Sequence, residues 1–198
     1  MLCLRLSLLI FTICFTACVT CSILFPLFRL KKTIEGLNET RLTVYYWYNE
    51  TVSSVDGGWS IFRYYARDFT CTNQRTAHIF MSVLSVVAAS MGGIAVLFLA
   101  CWTSVGPRCC LGIIAYFAIF VAFVCSLITL ALSGYVYVTD FCGVDSLRKA
   151  QYKLVEGFAL ICTATGGYLI LLLLGLILLL CCCRNASLSD IGAHDYHK

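Results

Sequence analysis

Four stretches of the chain run without Asp, Glu, Lys or Arg: Leu6 to Phe28, Ala77 to Trp102, Cys109 to Val138 and Gly157 to Cys183. Each reaches or exceeds the roughly 20 apolar residues that a helix needs to cross the hydrocarbon core of a bilayer. Backbone in that medium must hydrogen-bond to itself, so each stretch predicts a transmembrane helix. The polar segments then fall into a stub, residues 1–5, an outer loop 29–76, a short turn 103–108, a second outer loop 139–156 and a mobile tail 184–198. A second pattern lies inside the long loop. Arg41 to Tyr48 (RLTVYYWY) and Trp59 to Ala66 (WSIFRYYA) are rich in β-branched and aromatic residues and are separated by the turn-like Ser53 to Gly58. That spacing predicts a small β-hairpin with Leu42, Val44, Tyr46 and Tyr48 on one face and Thr43, Tyr45, Trp47 and Asn49 on the other. The predicted architecture is a single all-α tetraspan domain, a left-handed four-transmembrane-helix bundle carrying a small extracellular β-hairpin or sheet in its first outer loop.

Composition agrees with this. Of the 198 residues, 61% are hydrophobic and 12% charged, with a mean hydropathy of +0.90, against about 25% charged in a soluble domain. A water-soluble globule is excluded, and the scattered charges form no basic patch for nucleic acid. The first span also has features of a cleaved signal peptide, with Arg5 ahead of an apolar run and small Val19 and Cys21 flanking a cleavage point. Its apolar run continues to Phe28, however, and ends at Arg29, Lys31 and Lys32, the profile of a retained helix.

Orientation is contested within the sequence. Arg5, Arg108, Arg184 and Lys198 lie on one face and the remaining Lys and Arg on the other, so the positive-inside rule taken literally puts the long loops in the cytosol. Two glycosylation sequons argue the opposite, Asn38-Glu39-Thr40 and Asn49-Glu50-Thr51. So do the juxtamembrane thiols on the other face, Cys109, Cys110, Cys181, Cys182 and Cys183, which are candidates for palmitoylation. The expected topology is a multi-pass plasma-membrane protein with both termini cytosolic.

Fourteen cysteines are many, but most lie in the spans or at their edges, where Cys serves as a small, polarizable hydrophobe. Cys18 and Cys21 form a C-x-x-C, and a membrane thiol oxidoreductase is the alternative reading they raise. Such an enzyme needs an accessible low-pKa thiolate and a relay pair on a loop, whereas these two sit in an apolar run. Cys71 and Cys142 fall just beyond the same membrane face, before the second span and after the third, within reach of the 4.4 to 6.8 Å between Cα atoms that a disulfide requires. In an oxidising compartment they are expected to bond.

The first-loop aromatics Tyr45, Trp47, Trp59, Tyr64 and Tyr65 fit two readings, a contact surface or an interfacial aromatic belt. Within the spans, Ser85, Ala89 and Gly93, and Thr163, Gly166 and Gly167, mark helix-packing seams. No acid or base lies at mid-span, and His78, one residue into the second span, reads as a water-accessible interface residue. A carrier would show intramembrane charge and interrupted helices; a lipid- or small-solute-handling protein would need a polar cavity between helices. Nucleophile-elbow, zincin and phosphate-loop motifs are absent, and His194 with His197 in the tail is a weak metal pair, so neither catalysis nor a cofactor is expected.

Several of these residues together resemble the amastins of trypanosomatid parasites. The likeness rests on four spans with a large first outer loop, on Cys71-Thr72-Asn73-Gln74-Arg75 before the second span, on Phe141-Cys142 after the third, and on Tyr152 with Gly157-Phe158-Ala159-Leu160 opening the fourth. It covers the whole chain and is strongest from Cys71 onward. The family's first-loop signature, with two cysteines and a glycine, corresponds here to Arg41-Leu42-Thr43-Val44-Tyr45-Tyr46 ending at Thr51, which has none of the three. A broader similarity is to claudin-like tetraspan adhesion proteins, with Gly57-Gly58-Trp59 resembling the end of their tryptophan motif but without the cysteines that follow it. The amastin resemblance implies a non-catalytic surface glycoprotein in host or vacuole membrane contact, whose partners are the bilayer and either other membrane proteins or itself.

Overall fold

The computed structural model describes residues 2–34, 37–55, 58–105 and 109–194. Its four long helices are α1 (Leu2–Leu24), α2 (Thr72–Val105), α3 (Cys109–Val138) and α4 (Glu156–His194). All four contain segments long and apolar enough to span a membrane. They form a ring in which α1 and α3 each pack against both α2 and α4. Four crossings leave both chain ends on the face of the α2–α3 turn.

The buried positions repeat every three and four residues in each helix. In α2 they are His78, Met81, Ser85, Ala88, Gly92, Ala95, Leu99 and Trp102; in α3, Gly112, Ala115, Ile119, Ala122, Ser126, Thr129, Ser133 and Val136. In α1 Arg5, Leu8, Thr12, Val19 and Ser22 keep the same step, as do Gly157, Ile161, Ala164, Tyr168 and Leu171 in α4. The step matches the 3.5-residue repeat with which helices supercoil left-handedly. Seam hydroxyls return to their own helices: Thr12 Oγ1 donates to Leu8 O at 2.7 Å, Thr129 Oγ1 to Cys125 O at 2.8 Å and Thr165 Oγ1 to Ile161 O at 2.8 Å. These three hydroxyls thereby sit in the core without an open donor.

Of the expected small-residue seam positions, Ser85 is fully buried and Gly167 is at a close contact, whereas Gly92 takes the place expected of Gly93. A Cβ at Gly92 would lie 2.5 Å from Tyr168 Oη and one at Gly167 would lie 2.3 Å from the Phe15 ring, whereas Gly93 and Gly166 face open space. The heptad selects Gly92 in α2, and Gly167 is its counterpart at the α1–α4 contact. α4 also continues through residues 184–194, where a tail separate from the span is expected.

The outer loops build more than a hairpin. A five-stranded antiparallel sheet runs in the order β4-β3-β2-β1-β5, from β1 (Phe28–Ile34), β2 (Leu37–Val44), β3 (Tyr48–Val55), β4 (Gly58–Tyr65) and β5 (Lys153–Leu154) of the second loop. The first span stops earlier than its apolar run because Pro26 disfavours helix at the residue before it. α1 therefore ends at Leu24, and Leu27 and Phe28 open the sheet, fully buried. Leu27 N donates to Val44 O at 2.8 Å and Val155 N to Leu27 O at 3.1 Å, which stitches the two outer loops together.

The expected single strand over Arg41 to Tyr48 is two strands. β2 ends at Val44, the chain turns through residues 45–47 with Tyr45 N bonded to Tyr48 O at 2.9 Å, and β3 begins at Tyr48. Trp59 to Tyr65 then pairs with β3, Tyr48 opposite Tyr65 and Ser54 opposite Trp59. The turn exists because it drives Tyr46 into the helix bundle, where its exposure is 0%.

Candidate functional site

The inner face of the sheet closes the bundle. Phe28 stacks on Tyr137 of α3 with ring centroids 5.3 Å apart and meets Phe158 of α4 at 6.2 Å. Around it Leu27, Val44, Tyr46, Met81, Val136 and Phe141 form a core separate from that of the helix interior. The Tyr46 carbonyl accepts a hydrogen bond from Ser82 Oγ at 2.9 Å, and His78 Nδ1 lies 3.4 Å from the same oxygen. His78 is 1% exposed, which corrects the water-accessible reading: Tyr46, the residue that plugs the bundle from the sheet, and Phe69, edge-on at 5.1 Å, cover it. Burial pushes the Tyr46 phenol up to about 12, with the Ser22 and Ser133 hydroxyls pulling in the opposite direction. Those hydroxyls are committed to Val19 O at 2.7 Å and Thr129 O at 2.8 Å, and the Tyr46 hydroxyl is buried without a hydrogen-bonded partner.

Cys71 and Cys142 are joined by a disulfide with Cα atoms 6.0 Å apart. It ties the start of α2 to the second outer loop, where Cys142 takes a left-handed φ of 52°. That loop is further held by Asp140, which accepts from Ser146 N at 2.8 Å and pairs with Lys149. Hydrogen bonding by Lys149 and then Ser146 holds the Asp140 carboxyl below its ordinary value.

The sheet sorts the candidate aromatics into two groups. Tyr45, Trp47, Tyr64 and Tyr65 cluster at the helix end: Tyr45 stacks on Tyr48 at 4.6 Å, Tyr64 on Phe69 at 5.3 Å, and the Arg67 guanidinium lies 5.8 Å from the Tyr65 ring. A groove of about 660 Å³ lies among Trp47, Tyr48, Tyr65, Arg67, Ile79 and Ser82, beside the exposed apolar face of α2. Trp59 stands at the far end of β4, beside the β3–β4 turn and 68% exposed. The belt reading suits the first group, and the contact reading suits Trp59.

Sequon residue Asn49 is half-buried in β3, its Oδ1 enclosed without a partner. Cys110 is exposed at the start of α3. The side chains of Asn38, Cys109, Cys181, Cys182 and Cys183 lie outside the described residues, as do residues 195–198 of the tail. Cys18 and Cys21 are half-buried and unbonded on α1. Between the inner halves of the helices is a cavity of about 20 Å³ beside Trp102 and Tyr116, room for about one water. At that end Arg5, 8% exposed, lies 4.5 Å from the Trp102 ring.

The outer face of the sheet was not legible as a unit in the sequence. β1 alternates Phe28 and Leu30 inward with Arg29 and Lys31 outward, and pairing sets Lys31 opposite Arg41 and Arg29 opposite Lys153. Arg29 Nη2 meets Glu156 Oε2 at 3.3 Å and Arg63 Nε meets Glu50 Oε2 at 2.8 Å. The alternation in FRLKKTI was the available signal, hidden by reading Phe28 as the end of a helix. Compared with known proteins, the chain matches no family model and no curated sequence.

Proposed function

We propose that the chain is an amastin-like, multi-pass surface glycoprotein of the plasma membrane, with both termini in the cytosol, whose outer sheet makes cell-surface or host-membrane contact without catalysis or cofactor. The observation that carries this reading is β4, the edge strand of the sheet, whose residues are exposed along its whole length. Trp59 and Ile61 present apolar area on one face and Phe62 on the other, at 68%, 60% and 65% exposure. An apolar edge with unpaired backbone groups is a template for strand addition by a partner, either another membrane protein or a second copy. The outward orientation draws support from the Cys71–Cys142 bond, a chemistry of oxidising compartments, and from the sequons on the same side of the bundle.

The test is glycosidase sensitivity of the expressed protein, with Asn38→Gln and Asn49→Gln variants. Because Asn49 is enclosed in the sheet, the mobility shift is expected to vanish in Asn38→Gln and persist in Asn49→Gln. Protease protection showing the loop in the cytosol removes the surface reading.

A further inference from the structure

We propose that the outer face of the sheet binds an acidic saccharide, a sugar chain carrying carboxylate or sulfate groups. The inference rests on the surface-contact reading and names the chemistry of the partner. Two like-charge pairs lie directly opposite across adjacent strands, Lys31 with Arg41 and Arg29 with Lys153. Such pairs are destabilising in a sheet, and here they share β1, which gathers four cations on neighbouring rows. Arg29 and Arg41 each keep Nε enclosed with no hydrogen-bond partner. Shut off from solvent, those Nε atoms are also out of a ligand's reach, and Arg29 already bonds Glu156 through Nη2 at 3.3 Å. Contact falls to the rest of the Arg41 side chain, which lines a surface trough, and carboxylates and sulfates are the anions whose geometry a guanidinium fork matches.

The surrounding shape favours a sugar over a bare anion. A trough of about 240 Å³ runs over Lys31, Arg41, Thr43 and Glu50 between Tyr45 and Trp59. It meets, at Lys31, a second trough of about 430 Å³ that reaches Arg29, Lys153 and Gln151. Trp59 offers an exposed ring for the apolar face of a pyranose, and the Glu50 carboxylate, which accepts from Arg63 Nε at 2.8 Å, lines the trough with its second oxygen left to accept from a sugar hydroxyl. The continuous length accommodates several sugar units with anionic groups spaced along them. Headgroups of the chain's own bilayer are disfavoured as ligand, because Trp59 is about 20 Å along β4 from Tyr65 at the helix end, at ~3.3 Å per residue.

The test uses the full-length protein in phosphatidylcholine nanodiscs, which leave both faces open and need no detergent, so that its outcome does not depend on which side of the membrane the loop faces. Binding is measured to a heparin-derived oligosaccharide and to sialyllactose, with lactose as the neutral control and phosphatidylserine vesicles as the lipid control. Saturable binding to at least one acidic sugar and none to lactose is expected. Arg41→Gln and Trp59→Ala should each weaken it about tenfold, the scale of one lost charge-assisted hydrogen bond, while Arg75→Gln on α2 leaves it unchanged. Trp59 is solvent-exposed, so its variant folds irrespective of the ligand, and melting curves of all variants check this. Absence of binding to either acidic sugar overturns the proposal while leaving a glycosidase-proven outer loop in place. Equal losses in Arg41→Gln and Arg75→Gln overturn it in favour of diffuse charge attraction. Vesicle binding that is equally dependent on Arg41 and Trp59 overturns it in favour of a lipid headgroup.

Discussion

Tyr46 is among the largest fully buried side chains that join the sheet to the bundle, and its two halves act in opposite directions. The ring is fully buried in the outer core, and truncating an aromatic there costs about 3–5 kcal/mol. The hydroxyl is enclosed without a partner, a burden of about 1–3 kcal/mol, so Tyr46→Ala should lose a net ~2–3 kcal/mol and Tyr46→Phe should gain ~1 kcal/mol. The phenol adds a pH signature. Its folded pKa of about 12 lies above the ordinary 10.0, so burial of the neutral form contributes stability that is complete below about pH 10. That contribution is lost as pH rises through about 12. Two pKa units correspond to about 3 kcal/mol, and Phe cannot lose it. Thermal unfolding in detergent, followed by circular dichroism, should therefore show Tyr46→Phe pulling further ahead of the native protein as the buffer moves from about pH 8 to above pH 10. A constant gap between the two across that window, or a Tyr46→Ala protein that melts with the native one, refutes the plug.

Other perturbations separate helix packing from loop anchoring. Gly157 at the start of α4 faces the carbonyls of Phe25 and Pro26 at 2.6 and 2.7 Å from where a Cβ would stand, so Gly157→Ala forces backbone apart and should cost about 1–3 kcal/mol. Gly166→Ala enters open space and should raise the melting temperature through about 1 kcal/mol of helix propensity; the reverse order would contradict the packing described. Replacing Cys71 and Cys142 by Ser opens a link of sequence separation 71, and chain entropy sets the loss at up to about 4 kcal/mol. Limited proteolysis should then cut the second outer loop first. For Asp140, whose folded pKa lies below the ordinary 3.8, stabilisation is complete above about pH 4 and fades as pH falls through the folded value; Asp140→Asn should remove that acid dependence from the proteolysis rate of residues 139–152.

The spans were legible because charge-free length is a direct consequence of the solvent. The sheet was legible only in part. Tyr45 to Tyr48 has the composition of a strand, and nothing local distinguishes Tyr46 from its neighbours; its burial is decided by the gap between four helix ends. The same gap hides His78, whose position near a span boundary suggests water until the sheet is set over it. β1 was obscured by continuity of apolar character, since Leu27 and Phe28 extend the first span in composition while Pro26 has already ended it in conformation. Once β1 was missed, the outward row of Arg29 and Lys31 could be read only as a topological signal at the membrane edge. β5, two residues long, has no sequence signature apart from its partner.

The parts of the sheet without a local sequence signature bear on how the molecule works. The inner face of the sheet is committed to the bundle through Phe28, Val44 and Tyr46, and its edge beyond β1 is occupied by β5. Backbone bonds at Leu27 and from Gly157 to Pro26 then hold the start of β1 against β2, the second outer loop and α4, and the Cys71–Cys142 link ties that loop to the start of α2. A sheet anchored on one face and at one edge has two surfaces left for recognition, the cationic outer face and the free β4 edge. The β4 edge comes from the first outer loop and the cationic face from both loops, through Lys153 of β5, and Trp59 belongs to both surfaces. Substitutions in the inner core should therefore change stability with binding following, whereas substitutions at Arg41 and Trp59 should change binding alone.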